Sequence, residues 1–188
     1  MSNRPVKDLE ILEILGDYNL FLDCEKYVEM PFCIDQVDNN HLTAQKGESE
    51  LKADVPFGNT TLECEVRHGS EFDYSFKILT DRINSRMLFR MDEGNGTHWN
   101  RHLNIPIDQQ QVPTPHFHKK GNDGIDYAYT TDRLKTLKVP LNIHDGFWAF
   151  CEECHINQND IEIRLQEQNA LPLEFEPEVD PLKNIQFP

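Results

Sequence analysis

The sequence predicts an α+β fold, an antiparallel β-meander packed against N-terminal helices and one C-terminal helix. Three observations carry this expectation. Apolar residues near the N-terminus recur at helical spacing, three consecutive central segments alternate with a period of two, and an aromatic stripe follows Asp145. The 188 residues fit a single α+β domain over 1–170, followed by an acidic, proline-containing tail over 171–188.

The first helix is expected around Leu9, Ile11, Leu12 and Leu15, with Ser2 or Asn3 as its cap, Pro5 in its first turn and Gly16 at its end. Tyr18, Phe21, Leu22, Tyr27 and Val28 extend a second apolar face to Met30, where Pro31 interrupts it. The period then changes. Leu62, Cys64 and Val66 alternate with polar residues over 60–67, as do Phe72, Tyr74, Phe76 and Ile78 over 71–79, and Met87, Phe89 and Met91 over 86–92. Such alternation marks half-buried antiparallel strands, with Leu62, Val66, Phe72, Tyr74, Phe76, Met87 and Phe89 expected in the core. His68-Gly69-Ser70 supplies the first turn, and Glu93-Gly94-Asn95-Gly96 ends the third strand. Segment 94–114 reads as irregular, 115–130 as strand-like, and Asp145 as the cap of a helix bearing Phe147, Trp148, Phe150, Cys151 and Cys154. Ile161, Ile163 and Leu165 predict a last short strand.

A net charge of -15 works against binding nucleic acid or an anionic membrane with the surface as a whole, and suits a basic protein partner. The acids crowd the two ends, whereas Arg82, Arg86, Arg90, Arg101, Lys119 and Lys120 lie in the middle. An anion site is therefore expected in the middle third. Glu10 and Glu13 interrupt any signal-peptide core, and no run reaches membrane-spanning length. Five cysteines at irregular spacing do not form a disulfide framework. These features lead us to expect a cytoplasmic protein with no membrane association.

The middle third also holds the densest group of chemically active side chains. His98 and His102 precede Pro115-His116-Phe117-His118. On a strand His116 and His118 share one face, about 6–7 Å apart. Two imidazoles so placed can serve as acid and base about an anionic group, or can share a metal. The preferred expectation is a metal-free, cofactor-free site with His116 and His118 catalytic, His98 or His102 assisting, and Arg90, Arg101 and Lys119 binding the anion. A metal would need a closing Cys or carboxylate, which is not evident, with Asp92 and Asp123 as the candidates. The bland alternative is a polar face whose histidines only make hydrogen bonds.

Cys151-Glu152-Glu153-Cys154-His155 has the spacing of a haem c attachment site, but its cysteines also continue the apolar stripe of a helix, which makes core packing the expectation. Gly94-Asn95-Gly96 lacks the helix and Lys-Ser or Lys-Thr of a P-loop and reads as a turn.

Over roughly 70–160 these motifs also occur in a recognisable order. Met87-Leu88-Phe89-Arg90-Met91-Asp92, a Gly loop with His98, Pro115-His116-Phe117-His118, Tyr127-Ala128-Tyr129 and the aromatic helix from Phe150 to Ile156 resemble a family of uncharacterised bacterial and prophage proteins. The order is also similar to the Arg-x-Asp…His…Pro-His-His-x-His arrangement of the TumE-like toxins of toxin–antitoxin pairs. The chain departs from both in carrying Asn104-Ile105-Pro106-Ile107-Asp108 between its histidines and Lys119 where members carry an apolar residue. The resemblance implies a mobile-element or defence setting, with an antitoxin or host complex as protein partner. Two functions follow as expectations: a toxin-like or accessory enzyme acting on a phosphodiester or nucleotide, or a non-enzymatic acidic protein that inhibits a host nucleic-acid-handling or defence complex.

Overall fold

The computed structural model describes residues 7–37, 44–94, 96–157, 159 and 161–165. The fold is α+β. In chain order its elements are helices α1 (Leu9–Glu13) and α2 (Leu15–Asp23), then strands β1 (Lys26–Val28), β2 (Phe32–Ile34), β3 (Gln36–Val37), β4 (Gln45–Ala53), β5 (Thr60–Val66), β6 (Tyr74–Thr80), β7 (Met87–Glu93) and β8 (His98–Trp99). A 3-10 turn at Ile107–Gln109 leads to β9 (Gln111–Val112), β10 (His116–Lys120), β11 (Asp126–Tyr129), α3 (Asp132–Thr136), α4 (Ile143–Glu153) and β12 (Ile163–Leu165).

Among the described residues, eight strands form one sheet in the order β1-β4-β5-β6-β7-β10-β11, with β3 also paired to β4. All of its pairings are antiparallel. β5, β6 and β7 are the expected meander. β12 runs parallel to β2 in a small separate ladder.

The register gives the sheet two unlike faces. One row runs Cys64, Phe76, Met91, Phe117, Tyr129 across β5, β6, β7, β10 and β11. Helix α4 covers this face, its Phe147 and Phe150 rings lying 5.2 and 5.4 Å from Phe76. Phe21 of α2 meets Phe57, and the Tyr18 hydroxyl donates to Leu88 O at 3.0 Å. The opposite face carries Glu63, Lys77, Arg90 and His118 in one row, with Glu65, Ser75, Asp92 and His116 in the next. It is a ladder of charge across the middle of the sheet.

The helix boundaries differ from the sequence reading. Asp8 caps α1 through a 3.2 Å bond from Ile11 N; Ser2, Asn3 and Pro5 lie outside the described residues. Gly16 sits inside α2 rather than ending a helix, because the break falls at Ile14. Tyr27 and Val28 belong to β1, paired with Lys52 and Leu51, so their apolar spacing is not helical. Asn142, not Asp145, caps α4, accepting from Asp145 N at 2.9 Å. Trp148 projects away from the sheet and is 42 % exposed.

Phe72 is 39 % exposed, since the turn after β5 runs on to Asp73 and β6 begins only at Tyr74. Met87 is half-buried, whereas Leu62, Val66, Tyr74, Phe76 and Phe89 are buried as expected. Cys151 and Cys154 are buried in the core, and burial pushes both thiols up. The tail from Leu171 lies outside the described residues. None of the described helices is long and apolar enough to cross a membrane.

Candidate functional site

The polar face becomes a site where β10 is inserted between β7 and β11. Antiparallel register sets His118 directly opposite Arg90 and His116 opposite Asp92. Strand alternation keeps both histidines on that face, while Phe117 between them enters the core. Their ring centroids are 4.8 Å apart. Asp126 reaches the same row diagonally from β11, its Oδ2 lying 3.0 Å from His118 Nδ1.

The loop between β7 and β10 brings in the third imidazole. β8 and β9 pair as a short ribbon, with His98 opposite Val112. Buried Asn100 then ties the ribbon to the edge of β11. Its Nδ2 donates to Ala128 O at 2.6 Å, and its Oδ1 accepts from Ala128 N at 2.8 Å. The amide side chain thus satisfies backbone groups that an added strand would otherwise pair. This attachment places the His98 ring 4.7 Å from His118 and 6.0 Å from His116. Together with Arg90, Asp92, Gly96 and Thr97 the three histidines line an opening of about 190 Å³.

Arg90 Nε lies 2.9 Å from Asp92 Oδ2, and its terminal nitrogen lies 3.1 Å from His118 Nε2. Asp92 Oδ2 is also 3.4 Å from His118 Nε2 and 3.9 Å from His116 Nε2. Burial alone would lower the His118 pKa, but the carboxylates of Asp126 and Asp92 outweigh it and raise it above the ordinary histidine value. Burial would raise the Asp92 and Asp126 carboxyls, yet the hydrogen bond from His118 holds each below its usual range. His116 has no such carboxylate partner in hydrogen-bond range. Its Nδ1 rests 3.2 Å from Pro113 O, and burial, assisted by repulsion from His118, pushes its pKa down to about 4. His98 is lowered by the same two causes. The pocket thus pushes the proton affinities of neighbouring imidazoles in opposite directions, His118 up and His116 and His98 down.

Of the seven residues singled out from sequence, His98, His116, His118 and Arg90 come together. The other three lie elsewhere. His102 falls in the turn after β8 and does not line the pocket. Arg101 is exposed, its guanidinium 5.7 Å from the Trp99 ring centre. Lys119 is on the opposite face of β10 with its Nζ 4.8 Å above Tyr129, where it borders a different cavity of about 460 Å³. Asp123, a candidate carboxylate, instead accepts from Ile125 N in the β10–β11 turn.

Asp126 and Asn100 are site residues that sequence reasoning did not reach. The signal for Asp126 was available: on a hairpin with Tyr127 and Tyr129 alternating, Asp126 falls on the opposite face, beside the histidines. Asn100 leaves no such trace. As for a metal, His98, His116 and His118 each offer a nitrogen, all within 4.8 Å of one another.

The chain matches no family model, no curated protein and no solved structure at a significant level. Fold and site therefore define it only as an α+β protein with three histidines and an arginine gathered on the polar face of its sheet.

Proposed function

We propose that this protein is a toxin-like or accessory enzyme of a mobile element, acting on a phosphodiester or nucleotide at the histidine pocket. The observation that carries the reading is the convergence of three imidazoles and Arg90 on one small opening of an otherwise acidic chain. An Arg beside a histidine acid–base pair is what a phosphoryl group needs: a fixed positive charge, a proton acceptor and a proton donor. In hydrolysis, neutral His116 takes a proton from water as the new O–P bond forms. Protonated His118 gives its proton to the leaving oxygen as the old P–O bond breaks. Asp126 and Asp92 keep His118 charged and oriented, and Arg90 neutralises the phosphoryl oxygens. The resemblance to TumE-like and prophage proteins supplies the mobile-element setting and an antitoxin or host complex as partner.

The test is turnover of nucleotides and of single- and double-stranded oligonucleotides by the full chain. His116→Ala should lower the rate by about 10²–10⁴-fold, the range of a lost general base. A rate unchanged in both His116→Ala and His118→Ala would remove the enzyme reading.

The net charge favours a second reading, a non-enzymatic inhibitor whose acids occupy a basic channel of a nucleic-acid-handling or defence complex. Reversing exposed acids would then destroy the biological effect, while the histidine variants would keep it.

A further inference from the structure

We infer that His98, His116 and His118 bind one divalent transition-metal ion of the zinc type, through three imidazole nitrogens and with one coordination position open to the pocket. It concerns the pocket of the phosphodiester reading and leaves that substrate class as it is, but an ion on the Nε2 atoms of His116 and His118 would take the place of the metal-free acid and base roles given to them above.

The first ground is the direction of the ring nitrogens. His118 Nδ1 is anchored to Asp126 Oδ2 at 3.0 Å and His116 Nδ1 to Pro113 O at 3.2 Å. With the outer nitrogens held by acceptors, both Nε2 atoms turn to the same interior point beside Asp92. A carboxylate or carbonyl behind each ligating histidine is the arrangement that fixes tautomer and orientation at metal centres.

The second ground is reach. The three nitrogens lie within 4.8 Å of one another. Zinc–nitrogen bonds of about 2.0–2.1 Å in a tetrahedron set nitrogens about 3.4 Å apart, so each imidazole needs an inward shift of about 0.8 Å or less. His116 and His118 sit on a central strand and His98 on the ribbon tied down by Asn100, so the donors come from two elements that the fold already holds together.

The third ground is charge. The carboxylates of Asp92 and Asp126, 3.4 and 3.0 Å from the two ring nitrogens of His118, stand beside the place to offset the charge of an ion. Arg90 stands at the place, its terminal nitrogen 3.1 Å from His118 Nε2, and has to move aside for an ion. Its Nε lies 2.9 Å from Asp92 but makes no aligned hydrogen bond, and the side chain reaches solvent at the rim. It can withdraw from His118 while keeping its ion pair.

Three nitrogen donors favour zinc, cobalt, nickel or copper over magnesium or calcium. An open fourth position is the mark of a catalytic rather than a structural site. Water held there would face the opening that Asp92 and Arg90 also line. Among the described residues no other group of three histidine, cysteine or acidic side chains is placed to bind an ion, and the thiols of Cys151 and Cys154 are buried in the core.

The experiment uses the full chain stripped with a chelator and titrated with zinc by calorimetry, and with cobalt by visible absorption. One equivalent should bind, and cobalt should give the intense bands of a low-coordinate nitrogen site. His116→Ala and His118→Ala should each weaken binding by at least about 100-fold, and Asp126→Asn by about 10–100-fold as a lost anchor. His102→Ala and Cys33→Ser should leave it unchanged. Nitrogen-15 spectra of the wild-type chain, which need no variant to fold, should show zinc-induced shifts at the rings of His98, His116 and His118 and at no other histidine. No binding to the wild-type chain, or shifts at other histidines only, would overturn the inference. The functional reading fails separately. One equivalent of zinc at these rings with no phosphodiester turnover keeps the metal site and removes the enzyme. Turnover by a stripped chain that binds no zinc does the reverse.

Discussion

The two faces of the sheet use the same strands in opposite ways. On β6, Phe76 stacks against Phe147 and Phe150, while its neighbour Ser75 turns to the polar face with a buried hydroxyl that has no hydrogen-bond partner. On β10, Phe117 is core and the flanking His116 and His118 are site. One face gains stability from apolar burial. The other holds titratable groups out of water, where pairing only partly offsets their desolvation. Substitutions of the apolar side chains should therefore be read in stability, and those of the pocket's histidines in activity.

The largest stability effect is expected at Phe76. Phe76→Ala removes a ring in contact with three others and should cost about 3–5 kcal/mol in urea unfolding. A loss under about 1 kcal/mol would mean that α4 does not seal this face. Gly146→Ala comes next. A Cβ there would lie 1.9 Å from the Tyr74 hydroxyl, which donates to Leu141 O and Asn142 O at the start of α4. Helix and strand must part, with an expected loss of about 2–3 kcal/mol, in the range for overpacking. A Gly146→Ala variant as stable as the parent would show that Tyr74 has another place to go.

Glu93 is a carboxyl turned to the apolar side. It lies opposite Tyr74, is 4 % exposed and leaves Oε2 without a partner. Burial raises its pKa to about 7, against the pull of backbone hydrogen bonds from Leu141 and Gly94. A carboxyl raised in the fold keeps a proton that the unfolded chain has lost. Its stability contribution is therefore full below about 4.5 and declines as pH rises toward 7. Glu93→Gln should flatten that decline, giving a higher Tm than the parent at pH 8 and a similar one at pH 4. Parallel Tm–pH curves for the two would show that Glu93 is ionised at no cost.

Ser75→Ala carries the smallest effect. It removes an unpaired buried hydroxyl and should be neutral or stabilising by up to about 1 kcal/mol. A clear loss would reveal a partner for Ser75 on the polar face.

The sequence made the meander legible because Leu62 to Val66 and Tyr74 to Ile78 alternate cleanly, and it placed His116 and His118 on one face for the same reason. β4 left no such trace. Gln45, Gly47 and Leu51 face inward beside β5, yet their segment is rich in Lys and Glu and shows no apolar alternation. Its strand is imposed by pairing on both sides. Lys26 is similar: in the sequence it is only a lone base among acids, yet it is fully buried, its ammonium held by the carbonyls of Leu22, Cys24 and Cys154. Arg101 and Lys119 were grouped with Arg90 by proximity in sequence, but alternation puts Lys119 on the face opposite His118. His98 reached the pocket because its loop leaves β7 and returns to β10, its neighbour in the sheet. What fixes it there is Asn100, which no pattern in the chain announces.

The most direct test compares initial rates on phosphodiester and nucleotide substrates for the parent, for His116→Ala, and for a chain carrying Glu48→Lys and Glu50→Lys on the exposed side of β4. The histidine pocket as the working site predicts that His116→Ala falls by about 10²–10⁴-fold while the charge-reversed chain keeps the parent rate. A His116→Ala chain as active as the parent, or a charge-reversed chain that loses the activity, would contradict it.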